Sequence, residues 1–361
     1  MVSNRPGLPI LANVLLETED SKLKMTATDL ELGVQTWIGA EVKAGGKITI
    51  PARTFSEFVN SLPSGNVELD LEKQILQVTA VNNSAKFNTL PPDDFPKVPG
   101  IDDGDLILSV SPEDIQKAVG RVALAAAADD SRPVLTGIKV EAEGTGLSMV
   151  AVDGFRLAKQ SLDLDKAVKE KTDLLIPARA FQEVSKIISD LADESEKKKK
   201  DKLEIYLLKD KNQVVFRYKE VDLVSRLIDG QFPEYKQIIP TGYKTKVDME
   251  TAKIQDAVRI VNIFARNVIG NKAVMNFDPE NGKITVSADL AEVGANESSF
   301  EAKLEGENLK IAFSSKFLTD MLSSIDGDKM TFEGSSPTAP GVFKSKGDDS
   351  YLHIIMPMRI S

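Results

Sequence analysis

"KITIPARTF" occupies residues 47–55 and "LLIPARAF" residues 174–181, so Ile-Pro-Ala-Arg-x-Phe starts at Ile50 and again at Ile176, 126 positions on. In both copies an apolar, β-rich run precedes the proline and a helical pattern of apolar residues follows it. Proline has no N–H to donate, is tolerated in the first helical turn, and pushes the residue before it toward extended geometry. Each copy therefore reads as strand, proline, helix, with the proline expected in the helix's first turn.

A third unit lies under the first two. "LKIAFSSKFLTDMLSSI" (309–325) has the same strand and a helix with Phe317, Leu318, Met321, Leu322 and Ile325 at helical spacing, without Pro or Arg. Upstream, "KMTATDLELGVQ" around Asp29, "SMVAVDGFRLAKQ" around Asp153 and "KITVSADLAEVG" around Asp289 each set an acidic residue after an alternating strand. Three copies of one α+β module explain this. The second and third open with a strand and helix of their own, "LILSV" before Pro112 and "YKTKVDM" before Ile254. Helices are expected at 52–62, 112–126, 178–191, 251–266 and 315–325, with about eight short strands per module. Linkers rich in Pro, Gly and Asp at 96–105 and 240–244 give expected domains 1–102, 103–241 and 242–361.

At 361 residues, 42% hydrophobic and 28% charged, the composition is that of a soluble globular protein, and no apolar run approaches the roughly 18 to 20 residues of a membrane span. No apolar signal-peptide core follows Met1 and there is no Cys, so a cytoplasmic location is expected. The single His353 sits inside the strand "SYLHIIMPM", where a solvent or core position explains it better than a catalytic triad. Without Cys the usual zinc spacings are impossible, and neither phosphate-binding glycine motif occurs. Asp29, Asp153 and Asp289 recur once per module and read as turn formers rather than a carboxylate cluster. No catalytic residue, metal or cofactor is expected.

The net charge of −10 argues against unguided attraction to nucleic acid. The expected helices nevertheless carry nine basic and seven acidic residues, leaving the rest of the chain at −12. So small an excess fits salt-bridged, solvated faces as well as an anion-facing wall. The Lys197–Lys200 run reads as a solvated loop before a strand, with a nucleic-acid patch as the other reading.

"RPGLPILANVLLE" (5–17), "IPARTF", "TLPPDDFP" (89–96), "RPVLTGIKVE", "VAVDGFRLA" (150–158), "IPARAF", "LIDGQFPEYKQIIP" (227–240) and "IIMPMRI" (354–360) run in order along the whole chain. Together they resemble the bacterial DNA polymerase III beta-subunit family, the DNA sliding clamps. The resemblance implies three tandem clamp domains, each with two helices packed on antiparallel sheets. It further implies a head-to-tail homodimeric ring around double-stranded DNA, helices inside, without catalysis of its own. It implies partners: a clamp loader, the replicative polymerase alpha subunit and other proteins carrying a clamp-binding peptide, and no membrane. Relative to the family the first repeat is expected to lack its opening strand and helix.

Carried over residue by residue, Arg5, Arg132 and Arg179 are expected to face DNA, with Lys117, Arg121 and Lys186 as neighbours. The partner-peptide pocket is expected at Leu135, Gly154, Phe155, Arg156, Leu157, Pro233, Ile238, Thr338, Pro340, Ile354, Met356, Pro357, Met358, Arg359 and Ile360. Phe155 stands where the family often has His or Tyr. The dimer interface is expected at Phe87, Ile263 and Phe264. The rival reading, a non-catalytic repeat-built adhesin or carbohydrate-binding array, calls for aromatic platforms, and aromatics make up only 6% of the chain.

Overall fold

The computed structural model describes residues 8–192, 201–266, 271–290 and 294–360, and it folds both copies of the repeated phrase alike. The first repeat runs β1 (Asn13–Glu19), β2 (Lys22–Thr28), β3 (Leu32–Gly39), β4 (Lys47–Pro51), α1 (Ala52–Asn60), β5 (Glu68–Glu72), β6 (Ile75–Ala80) and β7 (Asn83–Asn88). The second runs β8 (Asp105–Val110), α2 (Pro112–Val122), β9 (Gly137–Glu143), β10 (Gly146–Val152), β11 (Arg156–Asp163) and β12 (Thr172–Pro177). It continues with α3 (Ala178–Asp190), β13 (Leu203–Leu208), β14 (Gln213–Tyr218) and β15 (Val221–Arg226). The third runs β16 (Thr245–Glu250), α4 (Thr251–Ala265), β17 (Lys272–Asp278), β18 (Lys283–Leu290), β19 (Gly294–Glu301) and β20 (Lys303–Gly306). It closes with β21 (Leu309–Ser314), α5 (Ser315–Ser324), β22 (Lys329–Gly334), β23 (Gly341–Ser345) and β24 (Tyr351–Ile355).

Ile50 and Ile176 are fully buried, and each proline is the last residue of its strand, one position before the helix rather than inside its first turn. β4 and β12 both lie at a sheet edge, so the missing N–H leaves no ladder bond unmade. Ser314 takes the same place in the third repeat with φ −66° and ψ 121°. Two of the three aspartates behave as turn formers. Asp29 Oδ1 accepts from the backbone N–H groups of Glu31 and Leu32, and Asp153 Oδ1 from those of Phe155 and Arg156. Asp289 stands instead inside β18, paired with Ala295 of β19.

By contact density the chain forms two compact units, residues 1–112 with 183–227 and residues 113–182 with 228–361. Both expected linkers are largely free of regular structure, but the compact units cut through the second repeat because each large sheet continues past a repeat joint. The first unit holds an eight-stranded sheet, β4-β1-β2-β3-β15-β14-β13-β8, and the three-stranded sheet β5-β6-β7. Its joint is the antiparallel pairing of β3 with β15, Thr36 opposite Val221 through Leu32 opposite Ser225. One core cluster gathers Leu16, Ile50, Leu76, Val78 and Phe87, with Phe55 and Phe58 meeting the Phe87 ring edge-on at 5.7 Å.

The second unit holds a nine-stranded sheet, β12-β9-β10-β11-β24-β23-β22-β16-β20, and the four-stranded sheet β19-β18-β17-β21. Its joint repeats the first: β11 pairs antiparallel with β24, Leu157 opposite Ile354. A stacked Phe277–Phe332 pair, 4.3 Å between centroids, fills the third repeat's core with Phe313 and Phe343 packed around it. Among the described residues no helix is long and apolar enough to cross a membrane.

Candidate partner groove and DNA-facing residues

Several of the residues expected in the partner pocket lie at or beside the β11·β24 joint, over one apolar cluster of the second unit. Leu157 and Ile354 are buried and face each other across the ladder, and Val342 of β23 lies opposite Ile354 on the other side. They join Val150, Val152, Leu175, Phe232 and Tyr235 in one cluster, against which Val134, Ile228 and Ile239 pack half-buried. The chain leaves β24 by two backbone bonds, Met356 N–H to the Phe155 carbonyl and Met358 N–H to the Ala312 carbonyl, each 2.8 Å. Those anchors hold Met356 and Ile360 exposed, with Pro357 and Met358 half-buried between them.

Of the other expected pocket residues, Leu135 is buried and adjoins Val134, which packs against the cluster. Pro233, Ile238 and Thr338 are exposed, Pro340 is half-buried and Arg359 is exposed. The segment "FPEYK" adds two residues the sequence reading did not name, Phe232 and Tyr235, buried in the same cluster with their rings edge-on at 6.3 Å. Tyr235 donates to Glu141; burial first, and that carboxylate second, raise its phenol above the usual range. Two aromatic residues flanking Pro233 were the available signal.

Gly154 sits at φ +92°, in the left-handed region where a side chain is strained, and this sharp turn throws Phe155 outward, 60% exposed. Its ring stacks on Phe317 of α5 at 6.5 Å. Arg156 turns the other way and is buried. It donates to Asp153 (2.9 Å) and to Asp320 of α5 (2.6 Å), with its guanidinium 4.5 Å from the Phe317 ring centroid. Phe317 and Asp320 of α5 thus meet Phe155 and Arg156 beside this joint. Sequence reading missed them because helical spacing assigns Phe317 to α5's apolar face and cannot say which neighbour it meets.

The residues expected to face DNA divide. Arg5 lies outside the described residues. Arg132 and Arg179 are exposed, the Arg132 guanidinium lying against Gly154. Lys186 is exposed and pairs with Glu183 at 2.8 Å; Lys117 is exposed and pairs with Asp326 at 3.0 Å. Arg121 is a correction, because it is only 3% exposed and cannot face DNA. It stands in the last turn of α2 and spans to the third repeat, donating to Asp326 (2.8 Å), Asp348 (2.9 Å) and Gln160 (2.7 Å) over the Tyr351 ring. Solvated helix pairs such as Arg53–Glu57 and Arg259–Asp256 also account for part of the helices' basic charge.

His353 is fully buried in β24, its Nδ1 3.0 Å from the Tyr351 hydroxyl and its Nε2 buried without a hydrogen-bond partner. Burial, with the Arg156 charge adding, pushes the imidazole down to about 3, so it stays neutral. At the expected dimer contact, Ile263 is 54% exposed on α4 with Phe264 half-buried beside it. The Phe87 side chain is instead committed to the first repeat's core; what β7 leaves available is its backbone edge.

Comparison with known proteins gives one consistent answer. Residues 1–99 match the family description "DNA polymerase III beta subunit, N-terminal domain", residues 109–234 its central domain and residues 236–359 its C-terminal domain. The beta sliding clamp of Staphylococcus aureus (strain Mu50) is 28% identical over 369 aligned positions, covering 99% of this chain and 94% of that protein. The DNA polymerase sliding clamp of Bacillus subtilis superposes with a TM-score of 0.91 at 26% identity, covering 100% of this chain and 94% of the other. The Pseudomonas aeruginosa DNA polymerase III subunit beta gives 0.90 at 28%, covering 100% and 95%, and a second structure from that organism is bound to griselimycin. Three repeats sharing one strand–helix phrase, two identical sheet joints and these matches end to end place the chain in the DNA polymerase III beta-subunit family, the sliding clamps.

Proposed function

We propose that two copies of this chain close head to tail into a ring that tethers the replicative polymerase to duplex DNA in the cytoplasm, as a processivity factor without catalysis of its own. The carrying observation is the repetition of one joint. β3 pairs with β15 and β11 pairs with β24, so the third member of each series, β19 and β7, remains with one free edge apiece. The same pairing made between copies, β19 of one with β7 of the other, uses both edges and adds Ile263 and Phe264 beside them. Domains 1–102, 103–241 and 242–361 then become six similar arcs.

A topologically closed ring needs only weak, sequence-independent attraction to phosphates. Arg5, Arg132, Arg179, Lys117 and Lys186 are assigned to that wall, while the acidic remainder discourages adsorption elsewhere. The groove over Leu157 and Ile354 takes short linear peptides from the clamp loader, the polymerase and other clamp-binding proteins. Its two flexible, polarizable methionines suit varied side chains. Loading onto nicked circular DNA with a clamp loader and ATP, followed by linearisation, tests this. Salt-resistant retention on circles with loss from linear ends is expected; equal retention on both overturns it.

A further inference from the structure

Burying a guanidinium is costly unless its donors are met, and the Arg156 side chain is only 8% exposed. Two carboxylates meet it. Asp153, three residues earlier, accepts from Nε through Oδ2, while its Oδ1 takes the backbone N–H groups of Phe155 and Arg156. That contact is local and closes the turn on itself. Asp320 of α5, 164 positions further along the chain, accepts from Nη1 at 2.6 Å and ties the same turn to a helix. Phe317, three residues before Asp320 and so on the same helix face, completes the tie. Its ring lies 4.5 Å from the Arg156 guanidinium and 6.5 Å from the Phe155 ring, the two rings stacked at 27°.

What that turn presents is the Phe155 ring on one side and the Phe155 carbonyl on the other. The carbonyl accepts the Met356 N–H at 2.8 Å, the bond with which the C-terminal segment leaves β24. The segment's next anchor, Met358 N–H to the Ala312 carbonyl, is on β21, and Pro357 between the two has no N–H to give. A displacement of the turn therefore moves Met356 directly and Met358 little. We propose that Asp320 is a positioning residue for the partner site: acting through Arg156, it fixes from α5 where the Phe155 ring and Met356 stand to meet a bound peptide. Without Asp320 the cation still has Asp153, so the turn stays closed locally and the fold is kept, but the turn is no longer held to the helix. The role rests on the reading of this segment as the partner-peptide site.

The test compares Asp320→Ala, which removes the acceptor, with Asp320→Asn, which keeps a carbonyl oxygen in its place, both in the full chain. Hydrogen exchange read at single amides should show Met356 about tenfold faster in the Ala variant, the scale of one lost hydrogen bond to a charged group. The Asn variant should restore parental exchange there, and Met358 and the amides of Tyr351–Ile355 should keep parental rates in both. A synthetic peptide spanning the clamp-binding segment of the replicative polymerase alpha subunit should bind the Ala variant about tenfold more weakly in calorimetry, and the Asn variant as the parent. Three results would overturn the role: unchanged Met356 exchange in the Ala variant, an equal rise throughout Tyr351–Ile355, or peptide affinity equal to the parent's in the Ala variant. A parent that does not bind the peptide overturns the partner-site reading instead, and this role with it.

Discussion

Replacing Arg121 with methionine separates the two roles a cation on α2 can have. If it faced DNA, its loss would leave stability alone and lower the salt dependence of DNA binding by about one in the log–log slope. The structure gives it three oxygen partners, on Asp326, Asp348 and Gln160, plus the Tyr351 ring. Removing one partner of a buried ion pair costs about 3 to 5 kcal/mol. Here the Asp326 and Asp348 side chains are 61% and 27% exposed, so both carboxylates regain water and the ionic share falls below that range. The buried Gln160 oxygen, left without its donor, adds about 1 to 3 kcal/mol. The expected net loss is about 3 kcal/mol, which for a unit of roughly 200 residues lowers Tm by about 6 to 12 °C.

Calorimetry on Arg121→Met, with Asp326→Asn and Asp348→Asn completing double-mutant cycles, reads that shift, and DNA binding across a salt series reads the slope. Acid pH supplies a second check. Burial alone would raise the Asp348 carboxyl, but hydrogen bonds from Ser350 and Arg121 outweigh it and hold the group below its ordinary value. A depressed carboxyl stabilises above its unfolded pKa, and that stability disappears as pH falls through the folded one, so the variant should lose less than the parent below about pH 4. A Tm shift smaller than about 2 °C together with a slope change of about one would refute the buried-bridge reasoning.

His353 binds a proton near its usual 6.5 when unfolded but only near 3 when folded, so stability is complete above the first value and declines as pH drops toward the second. His353→Phe, which also deletes the unpartnered Nε2, should lose about 2 kcal/mol less than the parent between pH 7.5 and 5 in urea titrations; equal losses would exclude the assignment. Met358→Ala with deletion of residues 359–361 should abolish binding of a clamp-binding peptide in calorimetry while sparing folding and dimerisation. Unchanged affinity removes the groove assignment. Ile263→Asp places a charge on an exposed apolar position beside the β19 edge and should yield monomers; a dimer persisting at micromolar concentration puts the interface elsewhere.

Local periodicity carried much of the architecture. The five helices begin where apolar spacing and the prolines place them, and differ from expectation only at their ends; α2 stops at Val122 and continues as a 3-10 turn through Ala125. Turn aspartates at 29 and 153 were legible because an Asx turn is a contact between near neighbours. Leu157 and Ile354, expected in one pocket by resemblance, do pair across the β11·β24 ladder; "GFRL" and "IIMPM" are short segments whose residues are distinctive in themselves.

What remained closed to sequence was every choice between two long-range partners. Arg121 and Lys117 lie one helical turn apart with similar composition around them, yet one is buried and the other exposed. Both reach Asp326; what the fold brings to Arg121 alone is Asp348, Gln160 and the Tyr351 ring. Phe87, expected at the dimer interface, proves to be a core residue once Phe55 and Phe58 are packed on it. The compact units cut across the repeats because β3 chose β15 and β11 chose β24, and backbone ladders carry no side-chain signature. Spacing of 2 or 3.6 residues, with turn and cap chemistry, is written in neighbouring positions, and so the chain alone determined its repeats, helices and turns. Burial of a charge or the meeting of two strand edges depends on atoms a hundred or more positions away, and only the tertiary structure decided those.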